Sequence, residues 1–318
     1  ARFLRERRGS DWRQKASLKG RCDLVLGEAQ AEGVEWTRLG ASGSRPLVNF
    51  YRGFKELCRK TMMAQNLRNF AASRAQLPRS HPQVTEAPHS PAWAALELDA
   101  FLPKTFVFTR SCEERDALIL ELRRRSAEGL DNTWILKPSG GAHGDDIAVL
   151  SGEEKILEFL EKQQESRTPW VVQKYLENPL LLPGRRKFDV RCMVLVTHDY
   201  AIHLYSEGIL RSCSVEFTLD DLDDRFAHLA NHCLQEHHPN YGAYEPLNLL
   251  SYVDFDAFLR DSGHCGPDGR PASLEAHILP QIEAQVVYSL LAVEELLRVS
   301  DTADFRCFNL LGYDFMLD

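Results

Sequence analysis

The chain has 318 residues, 44% of them apolar and 26% charged, which is ordinary for a globular protein of about two domains. A net charge of −8 argues against a general nucleic-acid binder, because such proteins are usually basic. No apolar run approaches the roughly 18 residues that a membrane-spanning helix needs. The basic segment Ala1–Arg8 is not followed by an apolar core, so no signal peptide is expected.

Eight cysteines are scattered along the chain without a Cys-x-x-Cys pair. Several lie in apolar strand patterns, which is typical of reduced, packed thiols in a cytoplasmic protein. The chain begins without Met and stops at Asp318, immediately after a predicted strand. We therefore expect that both ends are cut.

The first 130 residues alternate short strands with helices. The pattern predicts strands at Cys22–Leu26, Leu47–Tyr51 and Phe106–Phe108, a helix with Lys55, Arg59 and Lys60 on one side, and an arginine-rich helix at Glu113–Ala127. The arginines of the last helix are interpreted as a solvated face. Residues 77–96 are rich in Pro, Ser and His and predict a surface loop.

The second half of the chain contains longer strands. The pattern predicts strands at Trp134–Lys137, Ile147–Leu150, 169–174 and Lys187–Val196, a hairpin of Tyr200–Tyr205 with Ile209–Ser214 around Glu207-Gly208, a helix at Asp220–His232, a long helix at Leu274–Arg298 kinked by Pro280, and a last strand at Cys307–Leu317. A capping box formed by Ser151 and Glu154 opens a further amphipathic helix.

A glycine-rich loop joins the first two of these strands. It contains Gly140, Gly141 and Gly144, with Lys137 at its mouth. Glycines let backbone N–H groups approach phosphate oxygens, and a lysine adds a positive charge. The loop lacks the Gly-Lys-Ser ending of a Walker loop. A mobile turn without a ligand is therefore the alternative interpretation.

The strand Lys187–Val196 has an unusual charged face. Side chains alternate between the faces of a strand, so Lys187, Asp189 and Arg191 lie together opposite an apolar face. One interpretation is a solvated face with a ladder of cross-strand salt bridges. The other is a floor of alternating charge beneath a polyanion.

The last strand places Asp314 among large apolar residues. Burying an unpaired carboxylate costs several kcal/mol, so Asp314 is expected to meet a cation or a hydrogen-bond donor. A buried ion pair and an Mg²⁺ ligand are the two alternatives. The histidines between His228 and His238 fit no zinc spacing well, and a polar helix end with a nucleotide-contacting Asn231 is favoured.

These motifs occur in the order found in the tubulin–tyrosine ligase-like family of ATP-grasp enzymes. The resemblance covers nearly the whole chain and is strongest to the tyrosine-adding members. It is carried by Leu47–Gly53, Leu57–Lys60, Lys137 with the glycine loop, Gln173–Leu176, Asn178–Leu182, Lys187–Arg191, Arg211, His228–His232, Asn240–Tyr244 and Leu311–Met316.

The resemblance implies an α/β (α+β) ATP-grasp-like fold with three parts. A small N-terminal domain, 1–60, would dock on tubulin. A central ATP-grasp subdomain, 61–175, and a C-terminal subdomain, 176–318, would hold ATP between them. The C-terminal part would be truncated before the last metal-binding strand.

Carried over position by position, the resemblance also implies roles for single residues. Gln173, Lys174, Tyr175 and Leu176 would line the adenine; Lys60, Lys137, Gly140, Gly141 and Gly144 would hold the phosphates; Lys187, Asp189 and Asn231 would contact ribose or phosphate; Asp314 would bind Mg²⁺. Arg191 and Arg211 would neutralise the acceptor carboxylate and the transferring phosphoryl group.

The implied reaction is the ATP- and Mg²⁺-dependent addition of L-tyrosine to the C-terminal glutamate of detyrosinated α-tubulin through an acyl phosphate. The alternatives are a catalytically impaired tubulin-binding member, or a ligase that adds glutamate or glycine. The protein would be a cytoplasmic, cytoskeleton-associated monomer, and its partner would be the αβ-tubulin dimer. A basic track would receive the acidic tubulin tail: Arg38, Arg52, Arg185, Arg186 and Arg211.

The chain departs from the family pattern at several places, among them its end and the glycine-rich loop. It ends before the Glu-x-Asn pair that follows Asp314 in the family, and one carboxylate cannot hold two Mg²⁺ ions well. Asp145 and Asp146 stand where a further glycine is usual. Two carboxylates that faced phosphates would repel them by roughly 1 kcal/mol or more each.

Overall fold

Three sheets organise the part of the chain that the structure describes. The computed structural model describes residues 22–27, 36, 39, 43–76, 92–111, 113–141, 144–164, 168–300 and 302–318. The strands are β1 Leu24–Val25, β2 Leu47–Val48, β3 Thr105–Phe108, β4 Thr133–Pro138, β5 Ala148–Ser151, β6 Trp170–Lys174, β7 Phe188–Val196, β8 Ile202–Ser212, β9 Leu249–Ser251, β10 Arg306–Cys307 and β11 Asn309–Phe315. This mixture of sheets and helices agrees with the expected α/β class.

Helices connect and cover the sheets. They are α1 Lys55–Cys58, α2 Lys60–Gln76, α3 Ala92–Ala95, α4 Arg115–Ala127, α5 Glu153–Gln164, α6 Arg225–His228, α7 His232–Gln235, α8 Tyr252–Asp261, α9 Leu279–Leu291 and α10 Glu294–Leu297, with shorter 3₁₀ turns at Leu98–Ala100 and Pro246–Asn248. None of the helices that the structure describes is long and apolar enough to cross a membrane.

The first sheet is small and parallel, in the order β1-β2-β10. The second is antiparallel, in the order β3-β6-β4-β5, and contains the predicted glycine-rich hairpin between β4 and β5. Its apolar face packs on α4 and α5 through Leu118, Trp134 and Ile156, all fully buried. The arginines of α4 form ion pairs with neighbouring glutamates, as expected of a solvated face.

The third sheet is antiparallel, in the order β11-β7-β8-β9, and carries the charged face. Along β7, Phe188, Val190, Cys192, Val194 and Val196 are buried, while the residues between them are half-buried. The alternation predicted for this strand is confirmed. Its apolar face joins the largest core cluster, which also includes β2, α8 and α9.

Four predicted elements differ in the structure. Residues 77–91 of the predicted surface loop lie outside the described residues, but Ala92–Ala95 form α3, and its Trp93 is buried. The prediction of a hairpin around Glu207-Gly208 is wrong, because residues 202–212 form one continuous strand, β8. Gly208 pairs with Cys192, and the Tyr252 ring packs so closely over it that a Cβ would not fit. The glycine therefore marks a close contact within the strand and not a turn.

The other two differences concern helices. The segment Asp220–His232 is not one helix, because Leu229 adopts extended angles between α6 and α7. The long helix at Leu274–Arg298 begins with a wide π turn, Leu274–Ile278, and is interrupted again before α10. Pro280 lies in the first turn of α9, where its missing N–H costs no helical hydrogen bond.

Candidate active site

The charged face of the third sheet forms a network of four side chains. Asp189 lies opposite Arg211 on β8, with Arg211 Nε 2.7 Å from Oδ1 and Nη2 2.6 Å from Oδ2. Arg191 lies opposite Asp314 on β11 and donates to both of its carboxylate oxygens. Arg211 Nη2 also lies 2.8 Å from Asp314 Oδ2 and joins the two pairs.

This network settles what Asp314 contacts. The expectation that Asp314 meets a cation is confirmed, since two guanidiniums hold it. The ladder of cross-strand salt bridges is therefore present on this face. Burial raises the pKa of Asp189, while the Arg211 guanidinium acts in the opposite direction. Gly312 makes room for the network, because a Cβ there would lie 3.3 Å from Arg191 Nη1.

Three lysines lie near this network, and their hydrogen bonds to described residues go to amide, carbonyl and hydroxyl oxygens. Lys137 Nζ donates to Gln173 Oε1 at 2.9 Å, and Lys60 Nζ donates to the carbonyl oxygens of Pro138 and Gly141. Lys187 donates to the Tyr175 hydroxyl at 2.6 Å. None of the three forms an ion pair with any residue that the structure describes.

The pKa values of the three lysines are lowered by burial and by neighbouring positive charges. Burial lowers the pKa of Lys60. Burial and the nearby Lys60 ammonium lower the pKa of Lys137 to about 8. Burial lowers the pKa of Lys187 to about 7, with a further contribution from Lys137. Lys60 shifts the pKa of Lys137, and both Lys137 and Asp189 shift the pKa of Lys187. The three lysines and the charged face therefore lie in one region.

The glycine hairpin is shaped mainly by contacts within the protein. At Gly141 a Cβ would collide with the Pro138 ring, and Gly144 has a φ of +84° that favours glycine. At Gly140 a Cβ would lie 3.2 Å from the Arg59 guanidinium, a cation that the sequence did not assign to the site. Asp145 and Asp146 have exposed side chains. A role of the glycines in phosphate binding stays a prediction.

The far end of the hairpin meets the segment that carries Asn231. Arg225 Nη2 donates to the Gly144 carbonyl at 2.7 Å, and a Cβ on Gly144 would lie 3.2 Å from Asn231 Oδ1. Asn231 caps the start of α7 by its backbone position. The structure therefore brings Asn231 to the hairpin, as the predicted nucleotide site requires. Arg225 was not predicted, and only its basic character marked it in the sequence.

The segment Gln173–Leu176 leaves β6 beside these lysines. The Tyr175 N–H already donates to the Thr133 carbonyl at 3.0 Å. Lys174 is engaged by Glu177 at 2.8 Å and by the Thr133 and Tyr175 carbonyls. Among the described residues, nothing forms a hydrogen bond with the Leu176 backbone. Leu176 is therefore the position in this segment whose backbone is available to an adenine.

The described residues fit a triphosphate better than a magnesium ion. Three ammonium groups without carboxylate partners form a donor set suited to a polyanion. Within the described ranges, no group of three His, Cys, Asp or Glu side chains is placed to hold a metal. The predicted ligand Asp314 is held by two guanidiniums. Because a magnesium ion that binds together with a nucleotide needs only one or two protein carboxylates, the role of Asp314 as its ligand stays a prediction.

The predicted basic track for a tubulin tail needs correction. Arg186 is 1% exposed; it pairs with Glu245 and stacks 3.9 Å from the Tyr244 ring, so it is not a surface residue. Arg211 is 8% exposed and belongs to the charged network. Arg52 and Arg185 are exposed, and Arg185 pairs with Glu216. Arg38 lies outside the described residues.

Comparison with known proteins identifies the family. The model of the tubulin-tyrosine ligase family matches residues 43–318. The chain belongs to the tubulin-tyrosine ligase family. The match includes the glycine hairpin, the three lysines and the charged network.

Curated relatives of this family member are named for adding glycine or glutamate. The chain is 32% identical to tubulin glycylase 3B of Tetrahymena thermophila over 60% of its own length and 15% of that protein. It is 30% identical to human protein monoglycylase TTLL8 over 69% of the chain and 25% of that protein. It is 28% identical to the probable tubulin polyglutamylase TTLL9 of Bos taurus over 87% of the chain and 60% of that protein. The chain thus spans less than two thirds of each relative.

Proposed function

We propose that the protein is an ATP-dependent ligase that adds glycine or glutamate to tubulin. Family membership supports a tubulin-modifying ligase. The names of the three relatives, two glycylases and one probable polyglutamylase, support glycine or glutamate as the amino acid that is added. None of these three names supports the expected addition of tyrosine.

The observation that carries the proposal is a set of three lysines that have no carboxylate partner among the described residues. Burial lowers the pKa of all three lysines, Lys60 further lowers the pKa of Lys137, and Lys137 further lowers that of Lys187. Charging all three is therefore unfavourable until an anion binds. A triphosphate would supply that anion. We propose that Lys60 and Lys137 hold phosphate oxygens and that Lys187 holds the phosphate or ribose side, with Leu176 offering its backbone to the adenine.

The charged network would then act on the acceptor. In a ligase of this kind, a carboxylate oxygen of the acceptor attacks the terminal phosphorus and ADP leaves. The incoming amine attacks the acyl carbon, phosphate leaves, and the amine releases a proton. Arg191 and Arg211 would bring the acceptor carboxylate towards the phosphates by neutralising charge that otherwise repels it. Asp189 would keep the Arg211 guanidinium in place for this task.

The incorporation of labelled amino acids tests the proposal. The protein is incubated with ATP, Mg²⁺ and tubulin, and with labelled glycine, glutamate or tyrosine in separate reactions. We expect label from glycine or glutamate to enter tubulin, with ADP formed in equal amount. Incorporation of tyrosine alone would favour the tyrosine-adding alternative.

Two variants make the result specific. At limiting ATP, Lys137→Met is expected to lower both ADP formation and incorporation by at least about tenfold, whereas Lys162→Met on the exposed side of α5 is expected to leave both unchanged. Tubulin binding without ADP formation in the wild-type protein would favour the catalytically impaired member. The Asp314 carboxylate held by two guanidiniums is the observation that keeps this second candidate open.

The docking of the N-terminal unit on tubulin and the cytoplasmic, cytoskeleton-associated location are parts of the same proposal. The exposed Arg52 and Arg185 are the described members of the basic track that remain available to an acidic tail. A binding assay with a glutamate-rich peptide is expected to weaken when both are changed to alanine.

A further inference from the structure

A chain of hydrogen bonds runs from Lys187 into the interior of the protein. Lys187 Nζ lies 2.6 Å from Tyr175 Oη, and Tyr175 Oη lies 2.8 Å from His228 Nδ1. His228 Nε2 lies 2.9 Å from the Asp221 carbonyl oxygen. Lys187, Tyr175 and His228 are 4%, 4% and 2% exposed, so bulk water does not supply alternative partners.

The direction of each bond in this chain follows from the chemistry of the groups. Below its pKa of about 7 Lys187 is an ammonium, which only donates, so the Tyr175 oxygen accepts from it. The single Tyr175 proton then goes to His228 Nδ1, which must be unprotonated. The remaining ring proton is on Nε2 and is donated to the Asp221 carbonyl. Only the neutral Nε2–H form of His228 satisfies every partner.

We propose that His228 is a positioning residue for the nucleotide lysine Lys187 and acts through Tyr175. By accepting the Tyr175 proton, His228 turns the lone pairs of the Tyr175 oxygen towards the ammonium. It thereby fixes the position of Lys187 where no carboxylate pairs with it. The proposal rests on the proposed function, because it takes Lys187 as a nucleotide-binding group.

The surroundings of Lys187 explain why its position has to be fixed by the Tyr175 hydroxyl. Lys187 also faces the rings of Tyr175 at 4.1 Å and Phe217 at 5.6 Å, which attract a cation but do not fix its direction. The charged or titratable groups around it are Lys137, Asp189 and Cys213, while Asp221 and Asp224 lie on the His228 side. The Tyr175 hydroxyl is thus the sole described atom that accepts a hydrogen bond from Lys187.

The first experiment needs no nucleotide. Nitrogen NMR spectra of protein labelled with ¹⁵N-histidine give the tautomer of each ring, and the His228→Asn variant identifies the signal of His228. We expect the neutral Nε2–H tautomer at pH 7, with a changed Nδ1 shift in Tyr175→Phe. An Nδ1–H tautomer or a charged ring would overturn the proposal whether or not the protein binds ATP.

The second experiment measures ATP binding by calorimetry in matched variants. His228→Asn keeps an acceptor oxygen near the position of Nδ1, and His228→Leu removes it. We expect the dissociation constant to rise by about tenfold in His228→Leu and by less than about threefold in His228→Asn. In the Tyr175→Phe background the two substitutions are expected to give equal affinities, because the link to Lys187 is already cut.

The double variants separate positioning from a merely structural role. A difference between His228→Leu and His228→Asn that persisted in the Tyr175→Phe background would contradict the proposal. If the wild-type protein binds no ATP, the proposed function fails, whereas the NMR result still decides whether the hydrogen-bonded chain exists.

Discussion

Asp189 and Arg211 face each other across β7 and β8, and the Arg211 guanidinium donates to both carboxylate oxygens of Asp189. The same guanidinium reaches Asp314, so one cation is shared between two carboxylates. Arg211 is therefore held from two sides in the protein without ligand. A ligand anion that enters this face competes with Asp314 for Arg211 before it competes with Asp189, because Asp314 is the more exposed carboxylate.

The first prediction concerns the stability of this pair. Asp189→Asn is expected to lower the free energy of unfolding by about 3 kcal/mol, because it leaves the mostly buried Arg211 with one fewer anionic partner. Urea unfolding monitored by circular dichroism measures the change. The control is Glu216→Gln, which breaks the exposed pair with Arg185 and is expected to cost no more than about 1 kcal/mol. Equal losses in the two variants would contradict the prediction.

The second prediction separates ligand binding from folding at Lys137. Lys137→Met is expected to weaken ATP binding by tenfold to a hundredfold, since a charged hydrogen bond contributes about 1.5–3 kcal/mol. The same change is expected to leave the melting temperature of the ligand-free protein unchanged or higher, because it removes a cation that Lys60 repels. Thermal melts with and without ATP measure both effects, with Lys162→Met as the control. A lower melting temperature without ATP would show that Lys137 stabilises the fold.

The third prediction is a pH dependence of nucleotide binding. The Lys187 amine has a pKa of about 7 without ligand, so at pH 8 it is largely neutral. A bound phosphate raises this pKa, and binding then takes up a proton. The affinity for ATP is expected to fall by up to about tenfold per pH unit as the pH rises above 7. Well below pH 7 Lys187 is already charged, so a further fall in pH leaves its contribution to the affinity unchanged.

Calorimetry of ATP binding at pH 8 in two buffers of different ionisation enthalpy measures the proton uptake. We expect uptake of up to about one proton in the wild-type protein and a smaller value in Lys187→Met. The absence of proton uptake at pH 8 would mean that Lys187 is already charged in the ligand-free protein and would contradict the prediction.

The fourth prediction follows from the buried position of Arg186. Arg186→Met is expected to lower the free energy of unfolding by about 3–5 kcal/mol, because Glu245 loses its cation and Tyr244 loses its stacking partner. Arg185→Met is expected to leave stability nearly unchanged, because that side chain is exposed. Unfolding in guanidinium chloride compares the two variants. A stable Arg186→Met protein with weakened binding to acidic peptides would restore Arg186 to the surface track.

Much of the sheet structure was predictable because strand alternation is a local property. The pattern of Phe188–Val196 placed Asp189 and Arg191 on one face, and β11 placed Asp314 on the matching face. The motif order identified the family. The partner of Asp314 was not predictable, because the register of β11 against β7 depends on contacts between residues 123 positions apart.

Other parts of the site depend on burial that the sequence does not display. Arg185 and Arg186 are neighbours in a basic loop, yet one is exposed and the other is enclosed by Glu245 and Tyr244. Gly208 matched a turn signal, although the close approach of Tyr252 is what requires it. In both cases a segment that is distant along the chain decides the outcome.

The irregular pairing of β7 and β8 constrains how the length of β8 can change. Cys192 pairs with Gly208 and Val194 pairs with Leu204. Between these two pairings β7 advances by two residues and β8 by four, so β8 contains two extra residues. Two surplus residues keep odd-numbered side chains on one face at both ends of β8, and Arg211 still points to the same side as His203. With one extra residue in β8 instead of two, the Arg211 side chain would point to the opposite, core-facing side of the sheet. We therefore expect that an insertion or deletion of an odd number of residues at this point turns the Arg211 side chain away from Asp189, while the sequence motif stays intact.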